Sequence, residues 1–371
     1  MESIVSKHRE SNLELFRILT MLLIVAHHYV VLSDLPREIM TDPLSLKSIY
    51  LYIFGAWGKI GINCFVLITG YFMCTSCITL RKFVKLVGEV EFYSVMIYLM
   101  FYTGGDAHFS LQRVIPVLLP IYDLSPNNFT SCYLMFFLFI PFINILLKQL
   151  SRGQHAALIL LNVFAYSILG TIPGNYVPIN YLSWFVVIYL VGAYIRLYPG
   201  IPLFTNHLKT KLFLCLLFSG LSVVVCDWVN VHLGKHVFWL AYFGVIDSNK
   251  LLALLTAVFA FCYFKKLRIS YSPFINGVAA STFGVLLIHS NCREMMDWLW
   301  KTTLRNADFY SSNFIYIHSI CSVLLVYIIC TLIDRTRLQL LEKPFMNLYD
   351  RHSKMLEAKV NDITGRMLKM L

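Results

Sequence analysis

Residues 13–32 read LELFRILTMLLIVAHHYVVL, an apolar run interrupted by Glu14, Arg17, His27 and His28. Its length suits a helix through a bilayer, whose hydrocarbon core takes about 20 residues. An arginine near the middle of such a helix costs roughly 2.5–3.5 kcal/mol even on insertion scales, so an ionisable residue there marks function by default. Spacing connects Arg17 and His28. Eleven residues at about 100° each bring them within about 20° of one helix face, about 16 Å apart along the axis. His27 lies roughly 80° from that stripe. The plain structural alternative has Arg17 snorkelling to the headgroups beside Glu14, with His28 a hydrogen-bonded core histidine. Two ionisable groups on one intramembrane stripe favour function over that alternative, and the stripe is expected to face one shared, continuous interior channel.

The rest of the chain has the same character. Hydrophobic residues make up 58% of the 371, charged residues 14% and aromatics 15%, too little polar surface to solvate a globular domain of this size. The mean hydropathy is +0.67. Runs such as 21–25 and 223–225 do not alternate apolar with polar, so the pattern predicts helices and not a transmembrane barrel. The fold class expected is all-α, a polytopic transmembrane helical bundle. No small-residue cleavage site follows the first apolar run, which is expected to stay as the first span. Ten cysteines are scattered singly apart from Cys74 and Cys77, and no second pair or nearby histidine accompanies them. No metal is expected.

About ten spans are predicted, at 13–32, 53–73, 86–103, 132–147, 156–172, 182–197, 212–228, 251–264, 278–290 and 314–333. With ten spans, 21 of the 31 Lys and Arg residues fall on one side and nine on the other, with Arg17 in the bilayer. That bias predicts both termini in the cytosol and makes the net charge of +11 topological, with no nucleic-acid partner. Two domains are expected: a transmembrane unit, 1–337, and a cytosolic amphipathic C-terminal tail, 338–371, in which Met355, Leu356, Val360, Ile363, Met367 and Leu371 recur at helical spacing. The stretch 113–124 is apolar enough to lie at the outer interface, and Phe238, Trp239, Tyr242 and Phe243 are read as an interfacial aromatic belt. Glu89 and Glu91 are expected to pair with the basic cluster Arg81, Lys82 and Lys85, and His318 has no partner visible in the sequence.

Four motifs carry a resemblance. The stretch from Glu14 to Tyr29, with ten residues between Arg17 and His28, resembles the signature of the bacterial membrane acyltransferases of type three, which O-acylate sugars. GINCFVLITGYF at 61–72 is similar to that family's second-span pattern, with Thr69 and Tyr71 where many members have serine and phenylalanine. RKFVK at 81–85 matches its basic cluster, although two of the three basic positions are lysine, and STFGVLLIH at 281–289 resembles a late-span pattern ending in histidine. The resemblance runs from residue 14 to residue 289 and leaves out the tail. It implies transfer of an acyl group, acetyl in the preferred case, from cytosolic acyl-CoA to a hydroxyl of an envelope polysaccharide or lipid-linked sugar. It also implies a place in the bacterial cytoplasmic (inner) membrane.

The residues suit those implied roles. Arg17, Arg81, Lys82 and Lys85 are the candidates for binding the donor and its phosphates, although positive-inside orientation alone explains the cluster equally well. His28 is the candidate general base or acyl carrier, two mechanisms that the sequence leaves open. His289 would reach the acceptor from the outer side of a parallel span, or be a structural histidine, while Thr69 and Gly70 are assigned to close helix packing. The rival function is a transporter or flippase for a lipid-linked sugar or anion, since intramembrane ionisable residues also mark permeation paths. Paired halves typical of many transporters are not evident. A structural subunit of an envelope assembly is a third reading, and it would need no reactive histidine.

Overall fold

The computed structural model describes residues 10–105, 108–125, 128–175 and 177–353. Among them it contains helices and turns and no strand. Ten helical stretches are labelled here: α1 Ser11–Val31, α2 Leu46–Met73, α3 Leu80–Gly104, α4 Phe129–Gln149, α5 Arg152–Thr171, α6 Tyr181–Leu197, α7 Leu208–His232, α8 Leu251–Lys266, α9 Pro273–His289 and α10 Ile315–Ser353. Several begin where the sequence offers a cap. Ser45, Thr79, Asn128 and Asn180 each accept from a backbone N–H of the first turn, and Ser151 with Gln154 forms a capping box at the start of α5.

Each expected span overlaps one of these helices, but six are long and apolar enough to cross a membrane, or seven if α9 and the bent segment Arg293–Phe309 count as one span. The expected ten therefore exceeds what length and apolarity support. The reasons are local. Helix α6 has 17 residues and α8 has 16, α3 carries Glu89 and Glu91 in its apolar stretch, and α9 is interrupted at Ala280 and Ser281 before turning by 96° into Arg293–Phe309. The last helix also runs past residue 337, continuing to Ser353. The amphipathic pattern from Met355 onward lies outside the described residues.

Helix α1 is central, packed against α2, α8, α9 and α10. Helix α2 is the most enclosed of the long apolar helices, with 67% of its apolar window buried, whereas α5 and α7 are peripheral at 17% and 22%. The outer faces of α7 and α10 expose Phe213, Phe218, Trp228, Ile328 and Leu332. Continuous apolar faces of this kind belong against lipid. Inside, α2 and α6 approach through glycines: a Cβ on Gly70 would lie 2.7 Å from the Tyr189 carbonyl oxygen, and one on Gly192 2.7 Å from that of Leu67. Small residues permit such contact between backbones, as expected for Gly70. The expected aromatic belt is corrected in part. Phe238 and Tyr242 are buried and pack on Tyr52, while Trp239 remains 45% exposed.

A stripe of charge joins α3 to α10. Residues 81, 85, 89 and 93 are spaced i, i+4 and so share one helix face. Arg81 holds Asp350 at 2.7 Å, Lys85 holds Glu342 at 2.7 Å, Glu89 meets Arg337 at 3.1 Å, and the Tyr93 hydroxyl donates to Asp334 at 2.8 Å. Arg337 also binds Asp334 and Glu342, each at 2.9 Å. A π turn at Leu338–Glu342 brings Glu342, five residues on, beside Arg337. Glu89 thus pairs with the last helix and not with the basic cluster, because α10 covers the inner rungs of the stripe. Arg337 is 5% exposed and neutralises carboxylates that are themselves mostly buried. Arg337→Ala is expected to destabilise the fold by about 3–5 kcal/mol, the cost of leaving buried charge unpaired. Thermal unfolding in detergent checks this: a lowered midpoint is expected, and an unchanged one contradicts the structural role of the network.

Candidate active site

Arg17 and His28 leave α1 on the expected face, toward the interior, but they do not share one channel. His28 lines a cavity of 710 Å³ together with His27, Lys59, Tyr181, Ser290 and Asn291. Arg17 lines a second cavity of 190 Å³ with Thr69, Glu89, Tyr133 and Phe283. Phe129, the first residue of α4, is the single residue on both walls among those described. Its ring stacks on Tyr133 at 5.6 Å, and Tyr133 in turn packs on Phe283. The expected continuous path is corrected to two chambers that meet at an aromatic cluster.

In the smaller chamber the Arg17 guanidinium pairs with Glu14 at 3.3 Å. The guanidinium has five N–H donors, so further donors remain for a ligand. The Tyr133 hydroxyl is held by Thr69 at 3.0 Å, which gives Thr69 a polar contact on the chamber wall besides its place in helix packing. The basic cluster lies just outside. Leu86 and Glu89 of α3 line the chamber, while Arg81 and Lys85 are roughly half exposed and paired with Asp350 and Glu342. Lys82 donates to the Cys77 carbonyl at 2.7 Å. These three cations are not brought into contact with Arg17.

The larger chamber is polar at its rim. Arg113, on the short helix Leu111–Leu118, pairs with Glu294 at 2.7 Å. The expected interfacial stretch 113–124 therefore forms part of the chamber roof. Asp123 accepts from the Ser125 backbone N–H and the Asn128 amide, and these bonds hold its carboxyl below the usual range. Donors and acceptors distributed over a wall of this kind suit a ligand with many hydroxyls.

At the depth of His28 three further side chains converge. His28 Nδ1 lies 2.9 Å from His289 Nε2, and His289 Nδ1 lies 2.6 Å from the Val285 carbonyl oxygen. His289 is fully buried and does not line the chamber, so it stands behind His28, away from the cavity wall. His27 Nδ1 donates to the Gly55 carbonyl at 2.5 Å, satisfying a group freed where α2 breaks at 56–57. Gly58 permits this approach, since a Cβ there would overlap the His27 ring. Lys59 extends to the Tyr181 hydroxyl at 2.7 Å and makes no close ion pair among the described residues.

Sequence reasoning passed over His27 and Lys59 as wall residues of this chamber. Lys59 lies within the expected second span, so the rule that drew attention to Arg17 applied to it equally. His27 gave a weaker signal, because only the break in α2 turns its position off the stripe into a contact. His318 does have partners: the Tyr29 hydroxyl at 2.8 Å and the ring of Phe309 at 3.8 Å.

No curated protein and no solved structure matches this chain. A family model described as an acyltransferase domain matches residues 10–335, which takes in α1 to α9, both chambers and nearly all of α10 before the π turn. The match begins one residue before α1 and ends two residues short of Arg337, so the whole helical bundle that holds Arg17, His28 and His289 falls within it. With that extent of agreement, and with several apolar helices able to cross a bilayer, this chain belongs to the type three acyltransferase family of multi-pass membrane proteins.

Proposed function

We propose that the protein is an O-acyltransferase of the bacterial inner membrane. It moves an acyl group, acetyl in the preferred case, from cytosolic acyl-CoA to a hydroxyl of an envelope polysaccharide or lipid-linked sugar. One observation carries the reading. His28 stands in a large polar chamber and Arg17, on the same face of the same helix, stands in a smaller one, with Phe129 common to both. Such an arrangement suits a two-substrate transfer, giving one compartment to each substrate with the candidate reactive group on the wall of the larger.

In this reading the smaller chamber takes the acyl end of the donor. Arg17 offers its remaining N–H donors to the arm, and the exposed cations Arg81 and Lys85 hold phosphates, which compete there with Asp350 and Glu342. Lys82 adds charge to the same edge. The acceptor sugar lies in the larger chamber against Asp123, Asn291 and the Arg113–Glu294 pair. His28 takes the proton of the attacking hydroxyl, or carries the acyl group itself, and Lys59 supplies positive charge on the same wall. Phe129 sets how much acyl chain passes between the chambers. The transport reading uses the same two chambers but assigns no chemistry to His28.

Purified protein in lipid is expected to transfer labelled acetyl from acetyl-CoA to a polymer or lipid-linked sugar. His28→Ala should lower turnover by at least about 10²–10⁴, the usual contribution of a positioned proton acceptor. Full turnover by folded His28→Ala protein rejects the assignment. Arg17→Ala should weaken apparent donor affinity about tenfold or more, as loss of a charge-assisted contact does. An unchanged donor response removes its role. Phe129→Ala should shift relative kcat/KM toward longer acyl donors by about tenfold, in the range a changed apolar pocket gives. An unaltered chain-length preference places the acyl path elsewhere.

A further inference from the structure

We infer that His289 is a positioning residue that fixes the protons of His28, leaving Nε2 of His28 as the bare, working nitrogen on the chamber wall. The hydrogen bonds fix the protons in order from their buried end. The Val285 carbonyl oxygen can only accept, so the 2.6 Å contact requires a proton on His289 Nδ1. No carboxylate pairs with either ring among the described residues, so nothing there balances a standing imidazolium. A neutral His289 with its proton on Nδ1 has a lone pair on Nε2. The 2.9 Å contact to His28 then requires a proton on His28 Nδ1. Neutral His28 is left with its lone pair on Nε2, which no described protein group occupies, while the residue itself lines the 710 Å³ cavity.

Burial makes the assignment rigid. His289 is fully buried, packed edge-on against Trp300 with ring centres 6.2 Å apart, and its own rotation would break the Val285 bond. A second group that holds an imidazole in one tautomer is a recurrent requirement for proton transfer, and the wrong tautomer costs about 10⁴ in kcat where that effect has been isolated. Here a neutral imidazole fills the place that a carboxylate takes in other sites, which suits a position inside a bilayer because it adds no standing charge.

The kinetic consequence rests on the acyl-transfer reading above, whereas the proton assignment does not. In the direct route the acceptor O–H proton moves to His28 Nε2 as its oxygen bonds the acyl carbon. The C–S bond breaks, and the thiolate of the leaving coenzyme A takes that proton, so alcohol and thioester become ester and thiol. During the step His28 carries two N–H groups, and Nδ1–H still donates to His289 Nε2. In the acyl-carrier route the same Nε2 lone pair bonds the acyl carbon as the C–S bond breaks and coenzyme A leaves as thiolate; the acceptor oxygen then displaces Nε2 from the acyl carbon, its proton passes to that thiolate, and the working nitrogen is unchanged.

The test pairs a spectroscopic signature with two substitutions that separate reach from burial. Histidine ¹⁵N spectra of the labelled full-length protein in lipid, with His28 assigned by its loss in His28→Gln, need no substrate. Wild-type His28 should show a protonated Nδ1 and a bare Nε2, and a protonated Nε2 overturns the inference. His289→Gln can place an amide oxygen where Nε2 stood and should keep the His28 signature, with kcat within about tenfold of wild type. His289→Asn can keep the bond to Val285 but is too short to reach His28. It should lose the signature and lower kcat at least about 10²-fold, with donor KM changed less than twofold. Wild-type kcat in His289→Asn also overturns the inference. If His289→Asn does not yield folded protein, the wild-type spectrum decides alone. The expected signature together with no acyl transfer from any donor would defeat the enzymatic reading and leave the proton assignment standing.

Discussion

The cost of holding polar groups in apolar surroundings governs this structure, because a bilayer offers no water to satisfy them. Four interior cations and histidines show how the structure meets that cost. Arg337 gathers Glu89, Asp334 and Glu342; Arg17 meets Glu14; Lys59 meets Tyr181; His28 meets His289. The pairs fall into two groups with different consequences. Arg337 is closed on all sides and ties α3 to α10, so it serves the fold. Arg17, Lys59 and His28 keep one side on a cavity, and that open side is where chemistry has room.

Central placement of α1 turns this constraint into a site. It contacts both glycine-flanked halves of α2, the two pieces of α9 and the long final helix, so its polar stripe is enclosed by protein and not by lipid. The interruption of α9 matters for the same reason. The Thr282–His289 piece ends with His289 directed at α1, and the chain then turns sharply, leaving Ser290 and Asn291 on the chamber wall. On the proposed reading the aromatic cluster of Phe129, Tyr133 and Phe283 divides donor from acceptor. A thioester is thereby kept from bulk water until an alcohol is in place.

Much of this was legible in the sequence, and the failures have physical causes. The shared helix face of Arg17 and His28 was legible because helix periodicity is local and eleven residues nearly close three turns. Helical content was legible from apolar runs, but whether a run such as 182–197 or 251–264 crosses a bilayer depends on its neighbours as much as on its own length. His289 was visible as a motif residue, yet its contact spans 261 positions, which no local pattern reveals. Of the two readings open for it, the structural histidine fits its buried place better, because the outward side of a span is not the same as the wall of a cavity. Lys59 was counted with outer charges although it lay inside an expected span. The ion-pair stripe at 81, 85, 89 and 93 was half visible: its spacing is plain, but its partners lie more than 240 residues away.

The most direct test of the central claim, that His28 serves an acyl transfer across the membrane, is mass spectrometry of surface glycans. Three cell lines suffice: one with the protein, one without it, and one carrying only His28→Ala. The account predicts that one ester is present in the first and missing from the other two, on a polymer that still reaches the surface in all three. Retention of every ester with His28→Ala, or loss of the polymer itself from the surface, would contradict it.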